Sequence, residues 1–276
     1  NKSMVNSMQS LGSFGGAMIG GGVLLLLYHS LGWNQLLPYL AVFVAIALIP
    51  LVFFKEKDVD QPIESKNNSA VSFDDWLGFF KQKGIWKQVI FLFIYFAGLI
   101  GILSMLKPML VDYGYNMKQI GVMSGVIGSS IGCLGSLLGG FIVRKIGCFI
   151  PRIIFAVMIL LSAIYFYLLV TRLDVNIATL HFGISLLWLS YGLGTIVVYT
   201  TSMECVRKGF EGTDFTLQTV ITHISGMIMA VGAGKLADVL GYDSLFLVEI
   251  AIAAVSLLYI LSAFRNLKND GKSTDR

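Results

Sequence analysis

Residues 212–242 read GTDFTLQTVITHISGMIMAVGAGKLADVLGY, and this stretch decides the fold. Wound at 3.6 residues per turn, it puts Gln218, Thr219, Thr222, His223 and Gly226 within an arc of about 140°, with Leu217, Val220, Ile221, Ile224, Ile228 and Val231 on the other side. A run of this length with so few charges can cross a hydrocarbon core about 30 Å thick. Its apolar side is expected to face lipid, and its polar side other helices or a wet cavity. The pattern recurs at a constant offset of 209 residues, which pairs Gln9 with Gln218, Met18 with Met227, Ile19 with Ile228 and Gly32 with Gly241. The chain reads as all-α, a polytopic membrane helix bundle built from two related halves.

Composition agrees. With 56% hydrophobic and 13% charged residues and a mean hydropathy of +0.78, an ordinary water-soluble domain is excluded. The net charge of +4 does not imply nucleic acid, because basic residues in such chains mark one side of the membrane. Cys133, Cys148 and Cys205 have neither paired nor metal-type spacing and read as packing residues. The first residue, Asn1, already stands at the edge of a helix, so the sequence is expected to be the later part of a longer chain.

Eight apolar stretches are expected, near 8–29, 35–54, 86–111, 118–142, 150–171, 177–203, 214–240 and 243–264. With Asn1 in the cytoplasm, that side receives Lys2, Lys55, Lys57, Lys66, Lys81, Lys83, Lys87, Arg144, Lys145, Arg152, Arg207, Lys208, Arg265, Lys268, Lys272 and Arg276, against Lys118 and Arg172 opposite. That asymmetry predicts a cytoplasmic C-terminus. Gly12, Gly16 and Gly20 form a small-residue stripe on the first helix, expected to pack on the glycine face of the fourth: Gly121, Gly125, Gly128, Gly132, Gly135 and Gly139. Residues 55–84 read as a polar linker with a short interfacial helix capped by Ser72. Pro108 is expected to bend or break the third helix.

Several residues stand out as sites. Lys107 lies about 30 Å along the third helix from Trp86, either snorkelling to the outer interface or facing a cavity as a cation for an anionic ligand. Trp188 and Tyr191 share a helix face near mid-membrane, where a ring can stack on a ligand or simply pack. Asp214 starts the seventh helix, where a capping role competes with a functional one. His223 on the polar arc suits a proton relay, a hydrogen bond to substrate, or plain packing. Glu249 and Glu204 are candidate proton sites. AVGAGKLAD is not a phosphate loop, since Met229 and Leu236 occupy its required Gly and Ser/Thr positions. No His, Cys and carboxylate cluster has metal spacing, so neither cofactor nor metal is expected, and no nucleophile and base stand at workable spacing for an enzyme.

GGFIVRKIG, 139–147, resembles the loop motif Gly-x-x-x-Asp-Arg/Lys-x-Gly of the major facilitator superfamily: Gly140, Lys145 and Gly147 match, and Arg144 replaces the acid. The resemblance extends over essentially the whole chain in helix count, orientation, central loop and repeat. It implies helices 5–12 of a twelve-helix 6+6 fold with four helices upstream: 1–54 the last two helices of the first half, 55–84 the central linker, 85–266 the second half and 267–276 a cytoplasmic tail. It also implies a monomeric, proton-coupled transporter of the bacterial inner membrane, with a gating role for Gly140 and Lys145. GTDFTLQT, 212–219, is similar to the siderophore-importing branch and, next, to the muropeptide permease and acetyl-CoA transporter branches. On that resemblance Asp214 and Gln218 are signature positions, and Gln218, Thr222, His223, Trp188, Tyr191 and Lys107 are the expected substrate contacts. Asp214, Glu249 and His223 are the expected coupling or gating groups. A non-transporting receptor on the same scaffold is the reading from another class.

Overall fold

The computed structural model describes residues 2–53, 73–173 and 175–264. The helices are α1 (Lys2–Met18), α2 (Leu24–Phe53), α3 (Phe73–Phe80), α4 (Ile85–Ile94), α5 (Ala97–Asp112), α6 (Met117–Ile120), α7 (Ser129–Ile146), α8 (Phe149–Thr171), α9 (Ile177–Glu204) and α10 (Glu211–Ala263). Two π-helical segments, Ile19–Val23 and Gly121–Gly128, continue α1 and precede α7. In lipid the backbone must satisfy its own polar groups, which is why so apolar a chain becomes helices. Seven helices among the described residues are long and apolar enough to cross a membrane. The last, α10, has 53 residues, about 80 Å if straight. Gly241 folds it (φ 82°, ψ 173°) into legs 211–240 and 242–263, so the eight expected stretches are present as eight legs. Gly32, 209 positions earlier, bends α2 with nearly the same angles (φ 68°, ψ 171°). The sequence repeat is thus matched by a backbone repeat at a conformation that favours glycine.

The end of the bundle carrying Lys2, Lys87, Arg144, Lys145 and Arg207 is called the basic end below, and the opposite one the far end. At the basic end α1 buries Ser3, Asn6, Ser7 and Ser10 on one face. Asn6 Nδ2 donates to Thr200 Oγ1 at 3.2 Å, Ser7 Oγ to Ser136 O at 3.1 Å and Lys2 Nζ to Met203 O at 2.9 Å. These polar ties, of a kind that glues helices in lipid, hold α1 to α7 and α9. Farther along, the two π-helical segments cross. A Cβ on Gly22 would stand 2.8 Å from Gly125 C, and one on Gly125 2.5 Å from Gly22 Cα.

Several expectations change here. Gly12, Gly16 and Gly20 meet nothing within 4 Å among the described residues, because α1 packs through its serine face and its crossing lies at Gly22. The fourth-helix glycines divide between partners: Gly125 meets Gly22, whereas Gly128, Gly132, Gly135 and Gly139 meet side chains or backbone of α9, and Gly132 also meets Phe14. Pro108 sits inside α5 without breaking it; the interruption comes earlier, at Tyr95 and Phe96, between α4 and α5. A short helix, α3, stands where the interfacial helix is expected. Most of the expected linker, with Ser72, and the tail 267–276 lie outside the described residues.

Substituting Gly125 by Ala puts a Cβ into the Gly22 backbone, an overpacking expected to cost about 1–3 kcal/mol. Thermal unfolding in detergent should show a lowered midpoint, and an unchanged midpoint would contradict so close a crossing.

Candidate transport site

At the basic end, Asp214 is completely buried and clamped by Arg207. Nη2 donates to Oδ1 at 2.7 Å, Nε to Oδ2 at 2.9 Å and the Arg207 backbone N–H to Oδ2 at 2.8 Å. A planar guanidinium meets a carboxylate well in this forked arrangement. The side chain of Asp214 therefore holds the loop before α10 and makes no cap of its own. Arg207 also lies 4.6 Å from the Phe210 ring, and a Cβ on Gly78 of α3 would stand 2.5 Å from its Nη1. One turn beyond Asp214, the fully buried Gln218 donates to Ser202 O at 3.0 Å and accepts from Gln88 Nε2 at 3.2 Å. Gln88 is within 3.4 Å of Thr201 Oγ1. Gln218 thus ties α4, α9 and α10 together.

The polar arc read from the sequence splits accordingly. Gln218 and Ser225 point into the bundle, and Ser225 Oγ donates to Phe93 O. Thr219 and His223 point the other way: His223 is exposed, its Nδ1 lies 2.8 Å from Thr219 O, and it lines an open groove of ≈ 420 Å³ with Phe215, Thr216, Val220, Ile224 and Met227. An arc of 140° is wide enough to straddle two environments. Thr222 is half-buried between them, its hydroxyl returned to Gln218 O.

The middle of the bundle holds an aromatic cluster drawn from three spans. Tyr191 lies 5.5 Å from Phe14, 5.2 Å from Phe96 and 6.2 Å from Trp188, edge to face in each case. Counting from the helix ends, the four rings sit about 16–24 Å in from the basic end. Gly128 and Gly132 make room for Trp188, whose buried Nε1 has no hydrogen-bond partner among the described residues. Toward the far end, Lys107 is exposed and reaches the first crossing helix, its Nζ 3.8 Å from where a Cβ on Gly21 would stand. Glu249 is buried apart from this cluster, against Gly98 and Gly101 of α5. Gly140 lies under Ser7 of α1, while Lys145 is exposed in the last turn of α7. The candidates thus fall into separate places: Asp214 and Gln218 in a basic-end brace, Trp188 and Tyr191 in the central cluster, His223 on the groove and Lys107 beside the seam.

Sequence reasoning missed Phe14, Phe96, Gln88 and Arg207. Only Gln88, a lone amide in an apolar run, carried a local signal. Arg152 was counted as a surface charge, yet it is 5% exposed, with its guanidinium 4.1 Å from the Phe264 ring centre and 4.9 Å from that of Phe91. Between the spans, burial and then the Glu204 carboxylate push the Cys148 thiol up to about 12, and the same causes raise Cys205. Both remain thiols at neutral pH, as packing residues should.

Spans that cross at glycines, a braced basic end and a polar and aromatic interior define a polytopic membrane helix bundle. The model of the Major Facilitator Superfamily matches residues 1–228, and the chain belongs to that superfamily. It is 23% identical over 255 residues to the anhydromuropeptide permease of Escherichia coli (strain K12), covering 92% of this chain and 52% of that protein. It is 26% identical over 237 residues to the protein named AmpG 3 in Rickettsia typhi (strain ATCC VR-144 / Wilmington), covering 80% and 55%. The chain spans about half the length of the curated relatives it matches. These relatives fall in the muropeptide branch, the second of the expected resemblances, and give no support to the siderophore branch expected first.

Removing one partner of the buried Asp214–Arg207 pair strands the other, so Asp214→Ala should cost about 3 kcal/mol of stability. With Arg207→Ala alongside, the double variant should lose less than the sum in thermal unfolding; additive losses would show that the two are not coupled.

Proposed function

We propose that this chain belongs to a secondary transporter of a bacterial inner membrane that carries an anhydromuropeptide or a similar amphiphilic sugar–peptide. The observation that carries the reading is the central aromatic cluster, joined to a likeness to a protein named for anhydromuropeptide transport. Aromatic faces suit sugar rings, and the unpartnered Trp188 Nε1 is a donor for an acetamido or hydroxyl oxygen. Lys107, eleven residues beyond Phe96 and about 16 Å along the helices, suits the carboxylates of a peptide stem. The Asp214, Arg207 and Gln218 brace acts as the structural closure of the basic end, and Gly140, with Lys145, belongs to the hinge beside it. Thr222 and His223 contact substrate or solvent at the cavity edge. An ion gradient, taken to be of protons, drives accumulation, and the chain is a transporter and not an enzyme.

The test is uptake by cells lacking their own permease that express the full-length gene, using labelled anhydromuropeptide, iron-loaded siderophores and a protonophore. Protonophore-sensitive muropeptide uptake is expected. Siderophore uptake alone would replace the substrate, and transport of neither would favour a receptor on this scaffold. Lys107→Gln should weaken muropeptide affinity about tenfold, the worth of a charged hydrogen bond. Trp188→Phe, which keeps the ring packing, should weaken it less; normal affinity in both variants would move the site elsewhere.

A further inference from the structure

We propose that Glu249 is the proton-carrying carboxyl of this protein, the group whose loading and unloading couples substrate movement to a proton gradient; the assignment rests on the transporter reading above. Glu249 is 2% exposed and lies seven residues past Tyr242 on the second leg of α10, about 10 Å into the apolar layer. Its Oε2 is buried with no hydrogen-bond partner among the described residues. The side chain is seated in a notch on α5. A Cβ on Gly101 would collide with Oε1, and one on Gly98 would stand 2.7 Å from Glu249 O. Gly101 leaves the space this carboxyl fills, and Gly98 lets the α10 backbone approach α5 beside it.

His223 and Lys235, both exposed, stand inside the first leg of α10, and the other charged groups on the elements packed around it lie toward the helix ends. Lys87 of α4, Arg152 of α8 and Glu204 of α9 stand at the basic end, with Lys107 and Asp112 of α5, His181 of α9, and Asp238 and Asp243 of α10 at the far end. Tyr95, Tyr165, Tyr167, Tyr191, Tyr199, Tyr242 and Tyr259 are the phenols on these elements. Among the described residues none of these groups forms a hydrogen bond or ion pair with Glu249. A bare carboxylate in such a setting costs several kcal/mol, whereas a neutral acid is tolerated. The conformation described here therefore fits the proton-loaded carboxyl.

A second observation points the same way. Ser256 Oγ, two turns farther along the same buried helix face, is also buried without a partner among the described residues. Ser162 bonds Met158 O at 2.9 Å and Thr201 bonds Val197 O at 2.9 Å, whereas Ser10 and Ser129, on α1 and α7 away from this face, share with Ser256 the lack of a partner among the described residues. Glu249 and Ser256, with Ala253 against Gly98 between them, form a file of unsatisfied polar atoms leading from the carboxyl toward the basic end. The step is one proton taken by the carboxylate from water on one side of the membrane and returned to water on the other. No other bond changes and no electron moves.

The test uses the full-length protein in proteoliposomes with labelled anhydromuropeptide. Glu249→Gln should lose accumulation driven by an imposed pH gradient while keeping exchange of labelled for unlabelled muropeptide at equal pH. Glu249→Asp, still an acid, should recover part of the driven accumulation. Gradient-driven accumulation by Glu249→Gln, or loss of exchange together with accumulation in the folded variant, would overturn the assignment. Should Glu249→Gln fail to fold, Ser256→Ala must slow driven accumulation and spare exchange, and an unaffected rate would count against the polar file. Failure of the wild type in both assays would sink the transporter reading itself, which separates the two failures.

Discussion

Helices in a bilayer gain nothing by hiding from lipid tails as apolar as themselves, so this bundle depends on how closely its backbones approach. The contact between Gly22 and Gly125, within π-helical segments, is the tightest meeting of the early helices with the later ones. Serine and asparagine ties from α1 extend the same seam to the basic end. Farther along, Gly132 lets Phe14 and Trp188 come together, and Gly192 lies against the carbonyl of Gly132. The aromatic cluster exists because these positions have no side chains. A bulkier residue at any of them would change the spacing of the rings as well as the packing of the helices.

The brace at the basic end has a different character. Asp214, Arg207, Gln218 and Gln88 exchange directional, largely buried hydrogen bonds that specify one arrangement of α4, α9 and α10. Through Gly78 this brace touches α3, so the short helix after the linker is in mechanical contact with the start of α10. The center is held instead by ring edges and glycine notches, which tolerate small shifts. A stiff end and a compliant middle are the mechanical requirements for access that opens and closes.

The sequence made the span count, the repeat and the class of protein legible because each depends on residue type at a fixed period. Gly32 and Gly241 show this best, since an offset read from letters reappears as nearly equal backbone angles. The site was less legible. Trp188 and Tyr191 share a face by spacing alone, but Phe14 and Phe96 join them only through tertiary packing, and nothing local marks either. Asp214 looked like a cap because its partner Arg207 lies across a loop. Gln218 and His223 were grouped because a helical wheel cannot tell which edge of a polar arc meets a neighbour.

The two single-glycine corners have one more consequence. At Gly32 and Gly241 the chain reverses without a loop, and beside the second corner Tyr242 donates to Asp112 Oδ2 at 2.5 Å. The rim there is made of helix termini and not of flexible chain. At these two corners the described residues present helix dipoles and side chains whose directions the backbone geometry fixes, a static field in place of a moving loop.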